Sequence, residues 1–193
     1  MSITKAAILT AARARTGRQT ALESIDTQLL AIMIDLSARV PGALQKTGVV
    51  TVLTNTYSIA LPTDCIAVKA AADPNGAGLE KAQGGIDEVM TLLGVDNTAN
   101  TTLEKWAVFE KKIYVFPKSS GGHALTLYYQ YEDNNIAAIT FDDCCKEALI
   151  EGVCHKVELG FGVLGQVPEK AVTHGNFYEK EVASLQARYA HRN

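Results

Sequence analysis

The feature that most limits the fold of this chain is a double change of hydrophobic period. Ile25, Leu29, Ile32, Met33, Leu36 and Val40 recur at steps of three and four residues, the spacing of one helix face, until Pro41-Gly42 ends the pattern. From Val49 the spacing alternates instead. VVTVLT, YSIALP and CIAVKAAA are short, rich in β-branched residues and separated by Asn55, Pro62-Thr63-Asp64 and Asp73-Pro74-Asn75-Gly76, which mark turns. Helical spacing returns after Thr140. A chain that is helical at both ends and β-rich between them closes most simply as an α+β fold, in which N- and C-terminal helices form a bundle around a central antiparallel β-rich insertion. The boundaries read as 1–48 and 136–193 for the bundle and 49–135 for the insertion, with a short helix near 86–93 and a single domain overall.

Local signals refine the elements. Ser2 is placed to cap a first helix that runs to Thr16 and stops at Gly17. Thr20 with Glu23, or Ser24, is placed to cap the second. WAVFEKKIYVFP reads as a hairpin turning at Glu110-Lys111, although that turn holds no glycine, and ALTLYYQYE follows the SSGG segment as its partner strand. Thr140 with Asp143 fits a capping box for a helix through Leu159. Pro168 opens a last helix through Tyr189, with Val172, Tyr178, Val182, Leu185 and Tyr189 on its inner side.

At 193 residues, with no apolar run near the roughly 20 residues of a membrane span, the composition is that of a globular chain able to build a core without disulfides. Arg13, Arg15 and Arg18 stand where a secretory cleavage site needs small neutral residues, so the amino terminus reads as mature cytoplasmic sequence. Net charge is −3, yet the first 22 residues hold Lys5 and those three arginines and no acid.

The stretch CCKEALIEGVCH, Cys144 to His155, is the one place that resembles a reactive centre. On a helix, Cys144-Cys145 lie roughly 15 Å along the axis from Cys154-His155. A zinc ion holds its ligands at about 2.0–2.3 Å, so the two pairs do not share one. Cys154 and His155 project about 100° apart, and His155 is better placed to meet Glu151 one turn earlier. Packing is the simpler use: Phe141, Cys144 or Cys145, Ala148, Leu149, Gly152 and Leu159 mark an apolar stripe, with Gly152 allowing close approach. His123, His174 and His191 stand alone in sequence, and no phosphate-binding, dinucleotide or hydrolase motif is present. Neither a cofactor nor a metal is expected.

From Leu29 onward, about four fifths of the chain, the order of motifs resembles the head-tail adaptor, or connector, proteins of tailed bacteriophages. The resemblance rests on an amphipathic helix, the strand and leucine-proline-acid turn of YSIALPTDCIAVKAA, the aromatic hairpin WAVFEKKIYVFP, and the tyrosine strand LTLYYQYE. The acid-capped helix FDDCCKEALIEGVCHKVELG and the final helix through YEKEVASLQARYAHRN complete it. It implies a structural virion protein of the neck, cytoplasmic in the host before assembly, with no catalysis and no membrane. Such proteins form a ring, commonly a dodecamer, beneath the portal protein, extend the DNA channel and dock tail or nozzle proteins, while duplex DNA passes without sequence readout. Carried to this chain, Arg188, His191, Arg192 and Asn193 become candidates for docking on the portal, and Lys5, Arg13, Arg15 and Arg18 for electrostatic contact with DNA or portal. Two alternatives stay open: a small thiol-dependent enzyme using Cys145 or Cys154, and a nucleic-acid-binding module using the basic N-terminal helix.

Overall fold

In a computed structural model, residues 3–18, 25–40, 42–162 and 166–190 are described. In chain order they form α1 (Lys5–Thr16), α2 (Asp26–Arg39), β1 (Gln45–Val52), β2 (Ser58–Ala60), β3 (Cys65–Ala72), β4 (Glu80–Lys81) and α3 (Gly85–Val95). Then follow β5 (Ala99–Asn100), β6 (Lys105–Phe109), β7 (Lys112–Phe116), β8 (Lys118–Ser119), β9 (His123–Tyr131), α4 (Lys146–Leu159) and α5 (Glu169–Tyr189). The fold is α+β, and it divides into two compact units: Met1–Leu44 with Glu132–Asn193, and Gln45–Tyr131.

The helical unit is organised around α4. Ala148 through Cys154, together with Val157 and Glu158, are buried, because α1, α2 and α5 all pack against this one helix. Gly152 explains how α2 comes so close: a Cβ there would lie 2.8 Å from Ile32 Cγ2. The inner residues of α2, Leu29, Ile32, Met33 and Leu36, match the sequence periodicity. Gly17 ends α1 in the left-handed region at φ 69°, as its position after the periodic run requires.

Several boundary readings are corrected. Thr4, not Ser2, caps α1, its hydroxyl accepting from Ala7 N at 3.2 Å. Ser2, Thr20, Glu23, Ser24 and Pro41 lie outside the described residues. Thr140 does not cap α4. Its N–H and hydroxyl both donate to Asp133 Oδ2 at 2.8 Å, and Asp143–Cys145 form a 3-10 turn before α4 begins. A buried carboxylate competes better for these donors than a solvated helix end does. On α5 the inner face includes Ala171 in place of Val172, which is exposed, and Leu159 at the end of α4 is exposed as well.

The β-rich unit holds a three-stranded sheet in the order β1-β9-β3 and a four-stranded sheet in the order β2-β7-β6-β4. β9 pairs antiparallel with both neighbours, from Gln45↔Gln130 to Val52↔His123 on one side and from Cys65↔Tyr131 to Ala72↔Thr126 on the other. Alternate residues Leu125, Leu127 and Tyr129 turn inward to meet Val52 and Val68 of their own sheet and Trp106, Ile113 and Val115 of the other. α3 covers the far side of the second sheet through Val89 and Leu93, which meet Ala107, Tyr114 and Phe116. The alternation in YYQY thus places Tyr129 in the core and leaves Tyr128 exposed. Two short parallel pairs, β4 with β6 and β5 with β8, have no alternating signal of their own.

Candidate functional site

Neither half of the sulfur-rich stretch is arranged for chemistry. Cys145 and Cys154 are fully buried. Burial, reinforced by the neighbouring carboxylates of Glu151 and Glu158, pushes the Cys154 thiol up to about 12. Burial raises Cys145 further, with Cys144 adding to the shift. A nucleophilic cysteine needs the opposite direction, since the thiolate is the attacking species. Cys144 Sγ lies 3.0 Å from the Tyr189 hydroxyl, which donates to Asp142 Oδ2 at 2.7 Å and so ties the end of α5 to the start of α4. His155 does not meet Glu151. Its Nδ1 lies 2.8 Å from the Ala171 carbonyl, whereas Glu151 is met by Arg15 and, at 2.6 Å, by His174 Nδ1. Among the described residues no group of three or more His, Cys, Asp or Glu is placed to hold a metal ion.

The basic N-terminal helix is largely engaged inside its own unit. Lys5 pairs with Asp26 at 2.5 Å. Arg15 bridges Glu151 and, at 2.7 Å, Glu147. Arg18 makes a two-pronged contact with the buried Glu158, both bonds at 3.0 Å, and stacks 3.9 Å above the centre of the Phe161 ring. The hydrogen bond to Glu158 raises the Arg18 pKa further. Such fork-to-carboxylate geometry gives the arginines a specific role in seating α1 on α4. Of the four cations, Arg13 has no carboxylate partner among the described residues, and its Nε is buried without a hydrogen bond. A related cluster seats α5 on α2: Arg39 grips Glu179 at 2.9 and 2.5 Å, and Tyr178 donates to Asp35 at 2.5 Å.

His123, isolated in sequence, has close partners in the fold. Its Nε2 lies 2.5 Å from the Thr101 carbonyl and its Nδ1 lies 2.7 Å from Ser119 Oγ. The carbonyl can only accept, so Nε2 carries the proton in the neutral ring and Nδ1 accepts from the serine. That is the arrangement of a serine nucleophile and its base, but Ser119 is 0% exposed and its oxygen already accepts from Gly122 N at 3.1 Å. The group therefore locks the SSGG segment against the 98–102 loop. Sequence spacing of four residues offered no hint of it, because Thr101 comes from elsewhere in the chain.

Surface features remain. Arg188 is exposed near the end of α5, while His191, Arg192 and Asn193 lie outside the described residues. In the β-rich unit the β6–β7 turn places Glu110 and Lys111 at φ 46° and 57°, the left-handed region, with Val108 and Phe109 exposed beside them. The absence of glycine from WAVFEKK was the signal that this turn is unusual. At the other end of the same hairpin a hollow of about 460 Å³ is lined by Asp96, Thr98, Asn100, Glu104, Phe116 and Pro117. Among the described residues no helix is long and apolar enough to cross a membrane.

No curated protein matches the sequence. The family model described as SU10 adaptor protein matches residues 3–193, essentially the whole chain and both units. The chain therefore belongs to the SU10 adaptor protein family, structural adaptors of bacteriophage virions.

Proposed function

We propose that the protein is a head-tail adaptor of the phage neck, assembling as a homo-oligomeric ring, a dodecamer in the simplest case, beneath the portal. It would extend the DNA channel and present a surface to tail or nozzle proteins. The observation that carries this reading is the family match over residues 3–193. A closed ring requires each copy to offer two different complementary surfaces, and both units carry exposed apolar side chains on separate elements, among them Phe177 of α5 and Phe109 of β6. Arg188 and the residues beyond it, His191, Arg192 and Asn193, are the proposed portal contact; Arg188 has no partner among the described residues. Pairing of Lys5, Arg15 and Arg18 with acids of their own unit supports passage of DNA without strong binding, because phosphates are held mainly by unpaired lysine and arginine. Arg13 is then the member of that set left for DNA or portal contact. Mixing the purified full chain with portal rings tests the reading. A collar of adaptor density on the portal supports it, and portal rings that stay bare at saturating adaptor overturn it.

A further inference from the structure

The β6–β7 hairpin carries a knob at one end and a hollow at the other. Strand β6 has five residues, so at about 3.3 Å per residue the two ends lie roughly 17 Å apart. The knob is Phe109, 46% exposed, with Val108 and the exposed side chains of Lys111 and Lys112, neither of which has a carboxylate partner among the described residues. Its backbone is held in an unfavourable conformation at Glu110 and Lys111, where Asn-Gly is the usual solution. Strain kept at an exposed apolar tip is a common mark of a contact element. The Lys111 carbonyl is fixed by Leu61 N at 2.9 Å, so the tip is anchored to β2.

The hollow has the opposite character. Its floor is the half-buried Phe116 beside the buried Pro117, and its rim bears the carboxylates of Asp96 and Glu104. Thr98 donates to Asp96 from its backbone N at 2.9 Å and from its hydroxyl, and these bonds, the hydroxyl first, hold that carboxyl below its usual range. The Glu104 carboxylate has no partner among the described residues. The cations nearest to it in sequence are engaged elsewhere, Lys105 with Glu88 at 2.6 Å and Lys118 over the Tyr57 ring, 5.9 Å from its centre. Val95, 85% exposed, immediately precedes Asp96.

We propose that the β6–β7 turn of one copy seats in the hollow of a second copy, Phe109 on the Phe116–Pro117 floor, with Lys111 and Lys112 facing Glu104 and Asp96. The occupant is chosen by charge: two lysines without carboxylate partners flank the apolar knob, and two carboxylates flank the apolar floor. A knob and hollow at opposite ends of one hairpin give a head-to-tail contact, the kind that closes into a ring when its rotation allows. This rests on the ring reading above and names the surfaces that make it.

The test is a charge exchange in the full chain, read by the number of adjoining copies in native mass spectrometry and on portal rings. Thermal melting followed by Trp106 fluorescence checks that each variant is folded. Lys111→Glu, and separately Glu104→Lys, each weaken association between copies by about tenfold or more, since each sets like charges face to face. One chain carrying both changes recovers most of that loss, because the reversed pair again brings opposite charges together while Lys112 and Asp96 are unchanged. Folded single-surface variants that assemble as the natural chain does, or a combined variant no better than either alone, overturn the knob-and-hollow contact while leaving the ring intact. A natural chain that never self-associates, in solution or on the portal, removes the ring reading and this contact with it.

Discussion

Replacing Gly152 by alanine sets two effects of known size against each other. Alanine is favoured over glycine within a helix by about 1 kcal/mol, so a solvent-facing Gly→Ala in α4 would stabilise. Gly152 is not solvent-facing. Its added Cβ would lie 2.8, 2.9 and 3.1 Å from Cγ2, Cδ1 and Cγ1 of Ile32, which is itself buried on α2. Three atoms of one β-branched side chain are approached together, so no single rotation relieves the overlap. Overpacking of this kind costs about 1–3 kcal/mol, and the sum is a net loss of up to about 2 kcal/mol, centred near 1. With a urea slope of about 1–3 kcal/mol per molar, the midpoint falls by roughly 0.5 M. Far-UV circular dichroism at the helix band reads this unit, while Trp106 fluorescence reads the β-rich one. In an Ile32→Ala background the obstruction is gone and Gly152→Ala becomes stabilising by about 1 kcal/mol. A Gly152→Ala change that stabilises both backgrounds alike would refute the close α2–α4 approach.

Other outcomes follow from the same geometry. Lys111→Gly relieves a left-handed residue and stabilises the transition read by Trp106 in the full chain by about 0.5–1 kcal/mol after the entropy cost of glycine; a destabilised Trp106 transition contradicts the turn. The hydrogen bond from Arg39 holds Glu179 below the usual carboxylate range. Its contribution is complete above the unfolded value of about 4.3 and is lost as pH falls through the lower folded value, so Glu179→Gln flattens the acid limb of the stability profile. For Cys154 the sign reverses. Its raised pKa gives stability that is full below the unfolded value of about 8.5 and lost as pH rises towards the folded one, and at neutral pH Cys145 and Cys154 resist maleimide until the chain unfolds. Rapid modification of either in the folded protein contradicts their burial. The purified chain leaves duplex DNA unretained at low salt, and retention with a steep salt slope contradicts internal pairing of Arg15 and Arg18.

The α+β architecture was legible because long periodic segments report burial directly. Leu29, Ile32, Met33 and Leu36 in α2 occupy the places their spacing assigns, and Cys65–Ala72 is the strand its residue types suggest, although two register shifts against β9 break its alternation. The packing role of Cys145, Ala148, Leu149 and Gly152 was legible from the same stripe. What failed was pairing decided by groups far apart in sequence. Thr140 turns to Asp133, Glu151 takes Arg15 and His174 in place of His155, and His123 meets Thr101, all choices made by tertiary proximity. The charge of α1 misled for a related reason: Lys5, Arg15 and Arg18 form an unopposed cluster along the chain, but their acids are Asp26, Glu147, Glu151 and Glu158. The hairpin hollow had no signal, because its two carboxylates sit in a polar loop that reads only as a connection.

Cryo-electron microscopy of the full chain bound to portal rings bears most directly on the proposed ring. The expected image is a closed collar of identical copies, each touching its neighbour through β-rich units with Phe109 against Phe116. Bare portals, or single adaptor molecules scattered on them without mutual contact, would contradict it.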